Sequence, residues 1–239
     1  MNQGVSLSGQ VALVTGASRG IGLAIARRLG EMGARVSVCA RSQPKLEEAM
    51  SALRAAGIEA VALPADVTCE DQISRLIRNT QQQLGPIDIL VNNAGIGVFG
   101  PFHDQTEASW EAVLGTNLKS VFLVSRAVAP EMIRRKTGHI INISSLAGKS
   151  TFAGGAIYCA SKWGLLGLSG CTAEDLRAHG IRVSAVCPGT VNTEFSPHAG
   201  KDASKMLQPE DVAHAVAALV TQAPGSFISE IQIRPAQKP

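Results

Sequence analysis

The stretch Val11–Gly22, "VALVTGASRGIG", decides how the chain is read. Its first half, Val11 to Gly16, is a short apolar, β-branched run ending in glycine, the pattern of a buried strand. Its second half opens "IGLAIARRLGEMG", where Ile21, Ile25 and Leu29 share one face of a helix and Gly33 supplies a stop. Glycines between such a strand and such a helix permit a tight turn. They also let an anionic ligand approach the backbone N–H groups at the helix start. The spacing is GxxxGxG rather than GxGxxG, and no GK[ST] follows, so this is not a Walker A loop.

Working outward, strand-like and helix-like segments alternate to the end of the chain. "ARVSVCA" (34–40), "IEAVALPAD" (58–66), "IDILVNNAG" (87–95), "HIINISS" (139–145), "IRVSAVCPG" (181–189) and "FISEIQIRP" (227–235) read as further strands. Helical patterns lie between them: Pro44 to Gly57, Cys69 to Gly85, Ile157 to Ala178 and Pro209 to Thr221, with two consecutive helices expected from Glu107 to Arg135. Strands this apolar, separated by helices, predict a parallel sheet covered on both faces. No linker composition and no solenoid-length repeat interrupts the pattern. The reading is one doubly wound α/β domain over residues 1–239, with about seven strands.

Composition excludes several classes. Of 239 residues 45% are hydrophobic, enough for a sizeable core, and the formal net charge is only +3. Lysine and arginine are scattered rather than gathered into a stripe, so no nucleic-acid partner is expected. The start "MNQGVSLSGQ" lacks the basic-then-apolar form of a secretory signal, and no run of about 18 apolar residues predicts a membrane span. Cys39, Cys69, Cys159, Cys171 and Cys187 are odd in number and widely spaced. They form neither a disulfide framework nor metal-ligand spacing, so reduced thiols in the cytoplasm and no metal are expected.

The carboxyl ends of the strands carry the next signal, because ligands of open α/β sheets bind there. Sheets that prefer NAD place an acid at the end of the second strand to hold the ribose 2′-hydroxyl. Here that place reads "CARS", with Arg41 and no carboxylate, and Arg19 sits inside the glycine-rich turn. Two guanidiniums suit a 2′-phosphate, so NADP(H) is expected over NAD(H). The plainer alternative is that Arg41 merely caps a surface strand end. Asp66-Val67 ends the third strand and "NNAG" (Asn92 to Gly95) the fourth.

Taken with Asn117 in "GTNLKSVF", Ser145 in "INISSLAG", the YxxxK pair Tyr158/Lys162 and "PGTVNT" from Pro188 to Thr193, the chain resembles the short-chain dehydrogenases/reductases along almost its whole length. The general look is that of 3-oxoacyl-acyl carrier protein reductases and related carbonyl reductases. The resemblance implies a Rossmann-like fold and a catalytic group of Asn117, Ser145, Tyr158 and Lys162. It implies that the cofactor is held by Gly16, Ser18, Arg19, Gly20, Ile21 and Gly22 in the turn and by Arg41 and Ser42. Asp66, Val67, Asn93, Ala94 and Gly95 follow, then Tyr158 and Lys162, and last Pro188, Gly189, Val191 and Thr193. Lys162 would also bond the nicotinamide ribose, and Asn117 would hold a water in a relay to Lys162. Ser145 takes the serine role by its distance from the tyrosine, with Ser144 as second choice, since neighbouring strand side chains face opposite ways.

The chemistry is reasonable on its own terms. Tyr158 and Lys162 are four apart at the start of a helix and so share a face. Lowering a phenol by about three units takes roughly 4 kcal/mol. A cation at about 4 Å in an effective dielectric of about 20 supplies around that much, while burial opposes it. The expectation is a depressed Tyr158. The bland alternative is a core tyrosine beside a snorkelling lysine. A hydrolase built on Ser161-Lys162 is excluded, because adjacent helix positions do not face each other.

The chain departs from the family in two places. The expected substrate lid, 194–208, is short, with Phe152, Phe195 and His198 as candidate pocket residues. The ending "SEIQIRPAQKP" lacks the family's TGxxxxxDGG, and Trp163 is a bulky residue with no chemical task. Trp163 is expected at an interface of a homo-oligomer, a dimer or tetramer built on the two long helices. Three functions remain: a reductase of ketones, 3-oxoacyl thioesters among them; an NADP-dependent dehydrogenase oxidising a hydroxy compound; and a non-catalytic NADP(H) sensor.

Overall fold

In the computed structural model, which describes residues 6–195 and 202–239, seven strands form one sheet in the order β3-β2-β1-β4-β5-β6-β7. They are β1 (Val11–Thr15), β2 (Arg35–Ala40), β3 (Ala60–Pro64), β4 (Ile89–Asn92), β5 (Gly138–Ile143), β6 (Ile181–Pro188) and β7 (Glu230–Ile233). Every neighbouring pair is parallel; β1 sets Val14 against Val38 on one side and Val91 on the other. The chain winds outward from β1 to β3, then returns to lay β4 on the other side of β1. This reversal opens a crevice at the carboxyl ends of β1 and β4.

The helices are α1 (Gly20–Glu31), α2 (Gln43–Ala55), α3 (Glu70–Leu84), α4 (Glu107–Leu114), α5 (Ser120–Arg135), α6 (Ala156–Arg177) and α7 (Pro209–Val220). The period of two along the strands sorts them into two layers. Ala12 and Val14 of β1 face α1, α2 and α7 through Ile25, Leu29, Leu46, Leu53, Val212 and Val216. Val11 and Leu13 face α3, α5 and α6 through Ile73, Leu76, Val124, Val128, Met132 and Leu176. A fully buried side chain such as Leu13 or Ile25 contributes about 1.5–3 kcal/mol on this reckoning.

Glu107 to Arg135 differs from the expectation of two helices. A π-helical turn, Gly115–Lys119, joins α4 to α5 without a break. By length and composition alone this 29-residue helix is apolar enough to cross a membrane. Its apolar side instead supplies Leu123, Val124, Val128 and Met132 to the core over the sheet.

Candidate active site

The strand ends carry a cleft of about 1500 Å³. Its floor begins at the turn after β1. Gly16 has φ +64°, and a Cβ there would lie 2.7 Å from the Ala94 Cα, so the turn and the loop after β4 touch backbone to backbone at this place. A Cβ on Gly22 would lie 2.5 Å from both the Asn93 side-chain Nδ2 and the Gly16 carbonyl oxygen. The contact is hydrogen-bonded. Thr15 Oγ1 accepts from the N–H groups of Asn93 and Ala94 at 3.0 and 3.1 Å, and Asn93 Nδ2 donates to the carbonyls of Thr15 and Gly16. Below it, buried Asn92 donates to Ser125 Oγ and Asn142 Oδ1, and Asn142 to Ser169 Oγ. Of the "NNAG" segment, Asn93 shapes the cleft and Asn92 ties β4 to β5 and α5.

The first turn of α1 has no acidic side chain, and its N-terminus opens on the cleft. Its partial positive charge and free N–H groups suit a pyrophosphate. Arg19, Arg41 and Lys45 line the same end. Lys45, at the start of α2, escaped sequence reasoning, although a third cation so soon after Arg41 was there to be weighed. Arg19 is ion-paired with Glu194. Asp66 also lines this end; burial pushes its carboxyl up, but hydrogen bonds from the Thr68 N–H and hydroxyl, with the Arg41 charge, hold it below its ordinary value. Gly20, Ile21, Ser18, Ser42, Val67, Gly95, Pro188, Gly189, Val191 and Thr193 line the cleft as well.

At the other end β5 leads into Ser145, and α6 presents Tyr158 and Lys162 one turn apart. Ser145 Oγ accepts from the Ala147 N–H at 3.1 Å and lies beside Tyr158. Ser144 points elsewhere: its side chain is buried and donates to the Lys162 carbonyl at 3.4 Å. Lys162 is buried, donates from Nζ to the Ile143 carbonyl at 2.9 Å and stands 5.8 Å from the centre of the Tyr158 ring.

The electrostatics correct the expectation of a depressed tyrosine. Burial pushes the Tyr158 phenol up to about 12, with Ser145 opposing and Cys159 adding. Burial likewise pulls Lys162 down to about 8. Loss of water around the phenol is the largest influence on it. In this cleft Tyr158 is a protonated acid at neutral pH beside a cation.

Asn117 does not line the cleft. It is fully buried in the π turn, where Oδ1 accepts from the Ile96 N–H at 2.8 Å while Nδ2 donates to the Ile96 carbonyl and Ser161 Oγ. Both amide donors are engaged, and Oδ1, which takes one N–H, keeps a lone pair for a further donor. Its observed task is to clamp the loop after β4 to α6.

The rest of the wall is aromatic or C-terminal. Phe99, Phe152 and Phe195 are cleft residues around Tyr158. Phe99 went unseen in the sequence; its signal was an aromatic four residues past Gly95 in a glycine-rich loop. Arg234 to Pro239, the segment after β7, forms part of the wall, with Pro235 packed beside Gly189. Glu194 and Phe195 of the expected lid line the cleft, and Ala203–Lys205 is a short 3₁₀ turn. His198 lies outside the described residues. Among the described residues no group of His, Cys, Asp and Glu could hold a metal.

Comparison with known proteins places this geometry among relatives. The family model described as short chain dehydrogenase matches residues 10–204. Ketoacyl reductase HetN of Nostoc sp. is 40% identical over 215 residues, covering 88% of this chain and 75% of that protein. The 3-oxoacyl-[acyl-carrier-protein] reductase FabG of Staphylococcus epidermidis is 37% identical over 221 residues, covering 88% and 91%. Among solved structures, a metagenomic short-chain oxidoreductase in complex with NADP is 49% identical and covers 97% of this chain and 99% of its own, with a TM-score of 0.86.

Proposed function

Since the chain belongs to the short-chain dehydrogenase family, we propose that it reduces a ketone to a secondary alcohol with NADPH, as the ketoacyl reductases among its relatives are named for doing. The observation that carries this is Tyr158, held protonated by burial beside Ser145 and Lys162 in the same cleft as the glycine-rich turn.

The residues present fit the cofactor. The acid-free N-terminus of α1 receives the pyrophosphate, and Arg19, Arg41 and Lys45 suit a 2′-phosphate that a carboxylate would repel. Bound NADPH supplies the hydride that reaches the carbonyl carbon. Tyr158 gives its phenolic proton to the carbonyl oxygen as negative charge develops there, and the Ser145 hydroxyl donates a hydrogen bond to the same oxygen. The positive charge of Lys162 stabilises the phenolate left behind. Asn117 supports this indirectly, by fixing the loop after β4 against α6. The pyrophosphate and nicotinamide contacts of Ser18, Gly20, Ile21, Asn93, Pro188, Gly189 and Thr193 are part of the same reading.

The protonated phenol serves reduction. Oxidation of a hydroxy compound would use the same residues in reverse, with the net direction set by the substrate and the NADPH/NADP+ ratio. A non-catalytic sensor would have no use for a buried acid beside a buried cation. The carbonyl substrate is a small molecule, and 3-oxoacyl thioesters fall within the class. The chain assembles with copies of itself through α5 and α6, whose outer surfaces expose Phe122 and Trp163. The five free cysteines suit a reducing, cytoplasmic compartment, which cell fractionation tests.

The test is Tyr158→Phe. The variant is expected to bind NADPH with unchanged affinity by fluorescence and to lose ketone reduction by about 10²–10⁴-fold. Near-full reduction by that variant removes Tyr158 from the chemistry.

A further inference from the structure

Three of the chain's six phenylalanines and its one tyrosine meet at the substrate end of the cleft. The Phe99 ring lies 5.4 Å from that of Tyr158 at 66°, edge to face; the Phe195 ring lies 5.8 Å from Tyr158 at 54°. Phe152 stands 6.1 Å behind Phe99. Such separations and tilts are those of attractive aromatic pairs. Yet Phe99, Phe152 and Phe195 remain 37%, 50% and 40% exposed, so the described residues leave part of each side chain uncovered.

Glycines leave the room that the rings occupy. A Cβ on Gly97 would come within 2.6 Å of the Phe99 ring and 3.1 Å of the Phe195 ring, and one on Gly155 within 2.6 Å of Phe152. Two glycines from different loops thus make room for three rings from three segments. An exposed apolar cluster of this kind marks a binding surface. All three rings line the same cleft as Tyr158, whose hydroxyl would protonate the carbonyl.

We infer that the preferred substrate is a ketone bearing an aromatic ring a few atoms from its carbonyl, the ring seated between Phe99 and Phe195 with Phe152 closing the far side. This inference rests on the reductase reading and narrows its substrate class. A guest ring gains edge-to-face contacts worth about 2- to 10-fold per ring pair beyond the area it buries; a saturated ring of the same size gains only the area.

The probes are 4-phenyl-2-butanone and 4-cyclohexyl-2-butanone, which share a carbon skeleton and an unconjugated carbonyl. NADPH oxidation is followed with each, and the ratio of their kcat/KM values is the readout. The expected ratio is at least 10-fold in favour of the phenyl compound. It should fall toward 1 in Phe99→Leu and in Phe195→Leu, and Gly97→Ala, which forces both rings to move, should lower it as well. NADPH affinity in the same variants reads the other end of the cleft and reports whether they are folded. Equal kcat/KM for the two ketones, or a ratio untouched by Phe99→Leu and Phe195→Leu, overturns the inference and leaves the reductase reading standing. Turnover of neither ketone overturns the inference; if a 3-oxoacyl thioester is not reduced either, the reductase reading falls with it.

Discussion

Lys162 carries two opposed demands. Its charge is needed beside Tyr158, but its burial works against that charge and pulls the ammonium down to about 8. Below that pH it is protonated and eases loss of the phenolic proton; above it the charge goes and the tyrosine, already raised, becomes a poorer donor. The rate constant for ketone reduction is therefore expected to be level below about pH 8 and to fall about tenfold per unit above it. In Lys162→Arg, which keeps its charge, the fall should move to higher pH at a lower absolute rate. A wild-type profile level to pH 10 would show that this charge does not govern the step. That Tyr158 and Lys162 share a face could be read from spacing, because a turn of helix is a local rule; Ser145 was named through the family resemblance. The direction of the tyrosine's shift could not be read so, since burial depends on the whole wall around it. The hydrogen bonds of Asn117 were hidden for a related reason: its partners, Ile96 and Ser161, are 21 and 44 positions away.

Among the elements, the long helix from Glu107 to Arg135 shows where a pattern misleads. A π turn inserts one residue, which rotates the following face by about 100°. In sequence that phase break looks like the end of one helix and the start of another. At the end of β2 the pattern was more informative, because a missing carboxylate at a fixed place has a direct chemical meaning. Arg41 and Arg19 are not equivalent there, however. Arg19 is already engaged with Glu194, so a 2′-phosphate must displace a carboxylate to reach it, while Arg41 faces the cleft beside Asp66. Arg41→Asp is expected to raise the Kd for NADPH by about 10- to 100-fold, the loss of a charge-assisted contact, and to narrow the gap to NADH. Titration of both cofactors into wild type and variant measures it; an unchanged Kd for NADPH would place the 2′-phosphate elsewhere.

At the scale of the molecule, the alternation of apolar strands and amphipathic helices was enough to foresee a parallel sheet covered on both faces. What lay beyond it were contacts between segments far apart in sequence, such as the meeting of Phe99, Phe152 and Phe195, or the C-terminal segment against Gly189. The exposed Phe122 and Trp163 also acquire meaning only here. Both are large apolar side chains about half exposed on adjoining helices of one layer. Phe122→Asp combined with Trp163→Arg is expected to shift the assembly to smaller species, with at least a 10-fold weaker association, by light scattering coupled to size exclusion. An unchanged mass would put the interface on another face. The wall built by Arg234 to Pro239 has a practical corollary. In a parallel sheet all strands finish on one rim, so the last strand delivers the chain directly to the place where ligands enter. A tether fixed to that end, whether an affinity handle or an immobilisation support, therefore hangs at the doorway. Leu7, ahead of β1, is instead hydrogen-bonded to the Met32 carbonyl at the end of α1, on the opposite rim.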